Sequence, residues 1–380
     1  MRHSAILTRE PVVNQKRCIT ANRLIVHAND VADASDTLNA LEAFWPTQHT
    51  VFVSLAEHTP DPSLLQWQAP DNTMIEIPVR ALADPQTTQL LPELSRKGLT
   101  PCLRGWPDRH SAAAASHWRF VLAEAPHGSA PPDASAGIPI ACGLPDLNAF
   151  EAAIEQGFAG ASGCFFLNGH PPPQKLRPGH AQIIRLLNLA RNDADVREIE
   201  DLLKQNVAIS YKLLRYINSS AFGLRCEIQS FGHAVSILGY DNLNKWLSLL
   251  LVNAGEAPDA PALMQTSITR GRFMETIGAD YFNKAGCDNL FITGAFSILP
   301  LLLGVSMQTL VDEMSLPESI IDALLHDRGE YAPFLRMARH TEGGNPSALL
   351  MQAGELQLSK AQINCALLRA VSFADSLAAE

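Results

Sequence analysis

A change of rhythm after residue 167 constrains this chain more than any single motif does. Up to that point, short runs suited to strands alternate with amphipathic helical runs. The strand candidates are residues 23–28, 50–56, 73–79, 100–104, 118–125, 138–142 and 161–167. Between them lie helical patterns. Pro145-Asp146 opens one whose Leu147, Phe150, Ala153 and Ile154 share a face, and Gly157 closes it. Another ends at Lys97-Gly98. Strands that alternate with helices pair in parallel, as an open α/β sheet or a barrel. A full TIM barrel takes about 250 residues, so a barrel in this half is a shortened one, with some helices trimmed or replaced by loops.

Proline marks the joint. His170-Pro171-Pro172-Pro173 and Pro178 suit neither a helix interior nor a central strand, and predict a stiff linker. A second stretch rich in Pro, Ala and Ser, residues 126–139, reads as a surface loop of the first domain. Beyond the joint the strand signals vanish. Asp195-Val196-Arg197-Glu198 has the form of a capping box, and Ile199, Leu202 and Leu203 follow at helical spacing. Gly239-Tyr240-Asp241 ends one helix and opens another with Leu243, Trp246, Leu247, Leu250 and Leu251 on one face. The expected organisation is an α/β domain over residues 1–170, a linker over 171–179 and an all-helical domain over 180–380.

Composition narrows the function. The net charge of −10 divides evenly: residues 1–175 carry 12 Lys+Arg against 17 Asp+Glu, and the rest carry 17 against 22. Neither half has the basic footprint of a nucleic-acid-binding domain. The apolar run 290–305 is broken by Gly294, Pro300 and Gly304 and is too short to span a bilayer. No secretory signal is visible in residues 1–28, and the seven cysteines stand singly, with no Cys-x-x-Cys pair. The expected compartment is the cytoplasm, with no membrane or nucleic-acid partner and no cofactor site signalled.

The helical half resembles the HDOD family, relatives of HD phosphohydrolases that have generally lost the metal site. The resemblance runs from about residue 184 to 342. It is carried by Asn218-Ser219-Ser220-Ala221-Phe222-Gly223 and by Ala234-Val235-Ser236-Ile237-Leu238-Gly239. The first half, residues 5–167, is similar to the EAL family, whose barrels hydrolyse cyclic di-GMP. Arg9-Glu10-Pro11-Val12 resembles the opening strand of that family, and Gly157-Phe158 with Gly163-Cys164-Phe165-Phe166 its closing one. The fold class implied is α/β plus all-α: a shortened, degenerate EAL-type barrel followed by an HDOD bundle.

The EAL reaction needs two divalent cations, held mostly by carboxylates. Carried over residue by residue, the resemblance puts Asn22 at the Glu of the Glu-x-Leu motif and Ser54 at an Asn. Glu76 survives as a carboxylate. Arg104-Gly105 stand at the paired Asp, Cys142 at a later Glu and Ser162 at the closing Gln. One carboxylate does not hold a metal pair. A cation at Arg104 opposes it, since two unit charges about 4 Å apart repel by about 4 kcal/mol at an effective dielectric of 20. Arg104 has two readings: it pairs with a phosphate in place of the lost cation, or it faces solvent or meets Glu76 across the barrel mouth. The second is preferred.

His326-Asp327 offers the residue types of an HD metal site. The resemblance, however, places the family's His-Asp pair at Ser297-Ile298. His326-Asp327 then reads as a solvated helix end, and His233 as a packed or capping histidine.

The leading expectation is therefore a non-catalytic signalling adaptor acting through protein contacts. Its partners would be a kinase, a response regulator or a cyclic di-GMP protein, or a second copy of the chain. The alternatives are a metal-independent cyclic di-GMP receptor and an active phosphodiesterase with replacement ligands.

Overall fold

The structure is a computed structural model that describes residues 4–106, 118–125, 137–169, 172–204, 231–255, 257–343 and 345–378. By compactness the chain divides into two units. One comprises residues 1–170 with 339–372, the other residues 171–338 with 373–380. This differs from the sequence-based division at the carboxy-terminal end, where residues 339–372 group with the α/β unit rather than with the helical one.

The first unit holds a closed barrel of eight strands in sequential order. They are β1 (Ile6–Asn14), β2 (Ile19–His27), β3 (Thr50–Ser54), β4 (Thr73–Pro78), β5 (Thr100–Arg104), β6 (Phe120–Glu124), β7 (Ile138–Cys142) and β8 (Gly160–Ser162). From β2 to β8 the pairing is parallel, as the alternation of strands and helices requires. β1 departs from it and is antiparallel to both β2 and β8. The cause is local. Only residues 15–18 separate β1 from β2, too few for a parallel crossover. The turn is held by the Arg17 amide donating to the Asn14 carbonyl (2.8 Å) and the Cys18 amide to the Asn14 side chain (3.1 Å).

The connections explain the economy of the barrel. Full helices follow β2 (α1, Val31–Ala40), β4 (α2, Pro85–Arg96) and β7 (α3, Leu147–Glu155), while β3 is followed by a short 3-10 turn, Pro62–Gln66. The Asp146 carboxylate caps α3 by accepting from the Ala149 amide (2.9 Å), and Phe150 and Ala153 are its buried face. β8 is shorter than expected. Gly163 at φ +121° turns the chain out of the sheet, and Phe165–Leu167 forms a 3-10 turn instead of a strand.

Inside the barrel, one apolar layer is built from Val12, Ala21, Phe52, Met74, Cys102, Leu122 and Ile140, one residue from each of seven strands. Because side chains alternate along a strand, the next inward layer lies two residues further on, toward the end where the parallel strands terminate.

The second unit is helical throughout its described part. It contains α4 (Pro178–Arg191), α5 (Val196–Lys204), α6 (Phe231–Val252), α7 (Ala260–Ile277), α8 (Lys284–Phe296), α9 (Leu299–Leu303), α10 (Met307–Glu313) and α11 (Glu318–His326). α12 (Ala332–Thr341) crosses the division between the units, and α13 (Pro346–Glu355) belongs to the first; α14 (Lys360–Ala378) again runs across it. The Asp195 carboxylate accepts from the Arg197 amide (2.8 Å) at the start of α5, and Gly239 breaks the helical backbone within α6. α7 and α8 pack closely through glycine: a Cβ at Gly294 would stand 2.8 Å from the Arg270 backbone. The signature around residues 218–223 lies outside the described residues. Among the described residues no helix is long and apolar enough to cross a membrane.

Closure of the barrel depends on a bare backbone at Gly160, where an added Cβ would meet the Val13 carbonyl oxygen at 2.3 Å. Gly160→Ala must push β8 off β1, and its stability in denaturant unfolding is expected to fall by about 1–3 kcal/mol.

Candidate functional site

The layer above the apolar one is ionic. Counting two residues on from each apolar position gives Arg23, Ser54, Glu76, Arg104, Glu124 and Cys142, and two residues back along the reversed β1 gives Glu10. Arg23 is the hub. Its Nε donates to Glu76 Oε1 (2.5 Å) and its Nη2 to Glu76 Oε2 (2.9 Å), a bidentate pair. Its Nη1 donates to Glu10 Oε2 (2.8 Å), which also accepts from Ser162 Oγ (2.8 Å). Arg104 closes the cluster from the other side: Nη1 donates to Ser54 Oγ (3.1 Å) and lies 3.7 Å from Glu76 Oε2. The Arg23 and Glu76 side chains are 5% and 1% exposed, whereas that of Arg104 is 44% exposed. Two carboxylates thus balance two guanidiniums, with the buried pair below and Arg104 at the surface of the site.

The electrostatics follow from this packing. Burial alone would raise the Glu76 pKa, but the charge and hydrogen bond of Arg23, helped by Arg104, outweigh it and hold the carboxyl below its ordinary range. Burial likewise works against the Arg23 cation, yet the charge and hydrogen bond of Glu76 keep it firmly protonated. Burial pushes the Cys142 thiol up to about 12, so it stays protonated at neutral pH.

The cluster forms the inner wall of a cavity of about 660 Å³, also lined by Val79, Arg80, Gly105, Trp106, Glu57 and Glu124. Gly105, at φ +94°, donates its amide to the Leu122 carbonyl (2.8 Å). Trp106 Nε1 donates to the Glu124 carbonyl (3.2 Å).

The structure brings Ser54, Glu76, Arg104, Cys142 and Ser162 to this layer and Gly105 to its rim. It corrects one position. Asn22 faces away from the interior, where its Oδ1 accepts from Arg9 Nε (2.7 Å), and the residue of β2 that enters the site is Arg23. Glu10 was missed as a site residue, although its two-residue spacing from the apolar Val12 was available as a signal.

In the helical unit, Ser297 Oγ accepts from Arg270 Nη1 (3.0 Å) and donates to the Gly294 carbonyl (2.7 Å). His326 is exposed in the last turn of α11. Asp327 is that helix's left-handed C-cap, with its carboxylate bonded to Arg336 Nη1 (3.1 Å). The His233 side chain lies outside the described set. Among the described residues no three His, Cys, Asp or Glu side chains are grouped so as to hold a metal ion.

Residues 178–297 match the family model described as HDOD domain. An HDOD domain occupies this stretch of the chain. The cyclic di-GMP phosphodiesterase CdgJ of Vibrio cholerae serotype O1 (strain ATCC 39315 / El Tor Inaba N16961) is 29% identical over 188 residues, 49% of this chain and 44% of that protein. The uncharacterized protein YuxH of Bacillus subtilis (strain 168) is 23% identical over 206 residues, 52% of this chain and 49% of that protein. Each match thus spans less than half of the relative's own length. Among solved structures, the Klebsiella pneumoniae BlrP1 pH 8.0 calcium/cy-diGMP complex aligns over 43% of this chain and 55% of that one. The TM-score is 0.33 at 13% identity.

Removing one partner of the buried pair is expected to be far more damaging than removing the outer arginine. Glu76→Gln leaves Arg23 with half its counter-charge and should destabilise the barrel by about 3 kcal/mol. Arg104→Ala should change stability by less than about 1 kcal/mol. Because the Glu76 pKa is lowered by folding, its stabilisation is present above its unfolded pKa and is lost as pH falls through the folded value. Urea unfolding of the wild type across the acid range should show that loss, and Glu76→Gln should flatten it.

Proposed function

We propose that this chain is a non-catalytic signalling adaptor: an EAL-type barrel without metal chemistry joined to an HDOD domain, working through protein contacts in a cyclic di-GMP-related pathway. The observation that carries this reading is the Arg23 guanidinium, held by Glu10 and Glu76 in the layer where a phosphodiesterase would need its carboxylates. A divalent cation does not fit this arrangement. Hard cations need several free oxygen ligands, and the carboxylate oxygens at the centre of the layer already accept from Arg23, with Arg104 close by. The other positions of the layer supply a hydroxyl at Ser54 and a protonated thiol at Cys142.

The barrel core is intact, so what such a molecule offers is surface. Its partners in this reading are signalling proteins of the same pathway, a kinase, a response regulator or a cyclic di-GMP protein, or a second copy of the chain.

One feature favours a second reading, metal-independent binding of cyclic di-GMP. The half-exposed Arg104 faces a cavity large enough for a small ligand, and guanidinium suits phosphate geometry.

Calorimetric titration with cyclic di-GMP, with and without magnesium, followed by chromatography of the mixture, separates these readings. The adaptor predicts neither binding heat nor product. Binding without turnover, abolished by Arg104→Ala, moves the assignment to a receptor. Linear product formed only with magnesium overturns both.

A further inference from the structure

The seam between β1 and β8 is only partly closed by strand pairing. In an antiparallel strand, alternate residues direct both backbone groups to the same neighbour. On β1 the odd-numbered residues face away from β2, toward the β8 side. Val13 pairs with Ala161, and the Pro11 carbonyl accepts from the Gly163 amide (3.0 Å). There the ladder ends, because Pro11 has no amide to give and β8 turns out of the sheet after Ser162. Ala5 and Leu7 lie on the same edge, buried and beyond the reach of β8. Their backbone groups need partners.

The Ala5 amide donates to Thr37 Oγ1 (3.4 Å), and Asn364, from α14, meets the Leu7 amide and the Ala5 carbonyl. Its Oδ1 accepts from the Leu7 amide (2.9 Å) and its Nδ2 donates to the Ala5 carbonyl (3.0 Å). These are the two bonds that one residue of a parallel neighbouring strand would make. Asn364 is wholly buried. The same segment is fixed at two further points, by Lys360 Nζ to the Ser4 carbonyl and by Cys164 Sγ to the Glu342 carbonyl (3.3 Å).

We propose that residues 339–372 are a latch on the barrel. The segment stands in for the length of β8 that the chain does not build, and its attachment keeps the amino-terminal edge of β1 closed against local opening.

The test is hydrogen exchange on the full-length protein, wild type against Asn364→Leu, which keeps the volume and removes both bonds. The amides of residues 5–9 should exchange about tenfold faster, while those of residues 73–78 on β4 stay protected. Unchanged exchange at residues 5–9 overturns the proposal, and so does equal acceleration on β4, which would mean general loosening. If Asn364→Leu fails to fold, Asn364→Ala decides by the same comparison, since it also removes both bonds and adds no branched apolar side chain.

Discussion

A guanidinium and a carboxylate locked together beneath the barrel mouth set the character of the first unit. Taking either charge out of water alone would cost several kcal/mol, and a buried pair is tolerated only when the remaining donors and acceptors are satisfied. Glu10, Ser162, Ser54 and Arg104 provide that satisfaction, each from a different strand. The pair therefore ties together β1, β2, β3, β4, β5 and β8 at one level. The apolar layer below can be filled by residues of many shapes, whereas the ionic layer holds together only as a set.

The layer spacing also explains what was legible in the sequence. Strands β2 to β7 and the helix at Asp146 followed from periodicity and capping, while β1 and the site residues were placed by the resemblance to the EAL family. The two-residue spacing accounts for why most of them share one layer. β2 was the difficult strand. Eight of its nine residues are at least partly buried, and Asn22, Arg23 and Leu24 in succession are all buried. Where both faces of a strand are covered, apolar alternation carries no phase, and a one-residue slip moves every side chain to the other face. That slip separates Asn22 from Arg23. Glu10 had a clear phase through Val12, but its chemistry was hidden until its partner was known.

The helical unit shows the same limit in another form. The capping pattern at Asp195 marked the start of a helix, which runs over Val196–Lys204. The bond between Arg270 and Ser297 was not readable, because it joins two helices across a close approach that only Gly271 and Gly294 permit. Helical periodicity shows which face is buried and says nothing of which polar side chain on it will find a partner on the next helix.

The contact between Leu7 and Asn364 spans 357 positions of sequence. A ribosome releases the amino-terminal end of a chain first, and domains whose contacts are local fold as they emerge. This barrel does not have that freedom. Leu7 leaves the ribosome 357 residues ahead of the side chain that closes its edge. While the residues between them are added, the edge at Ala5 and Leu7 waits without its partner, and the order of synthesis is the reverse of what the seam requires.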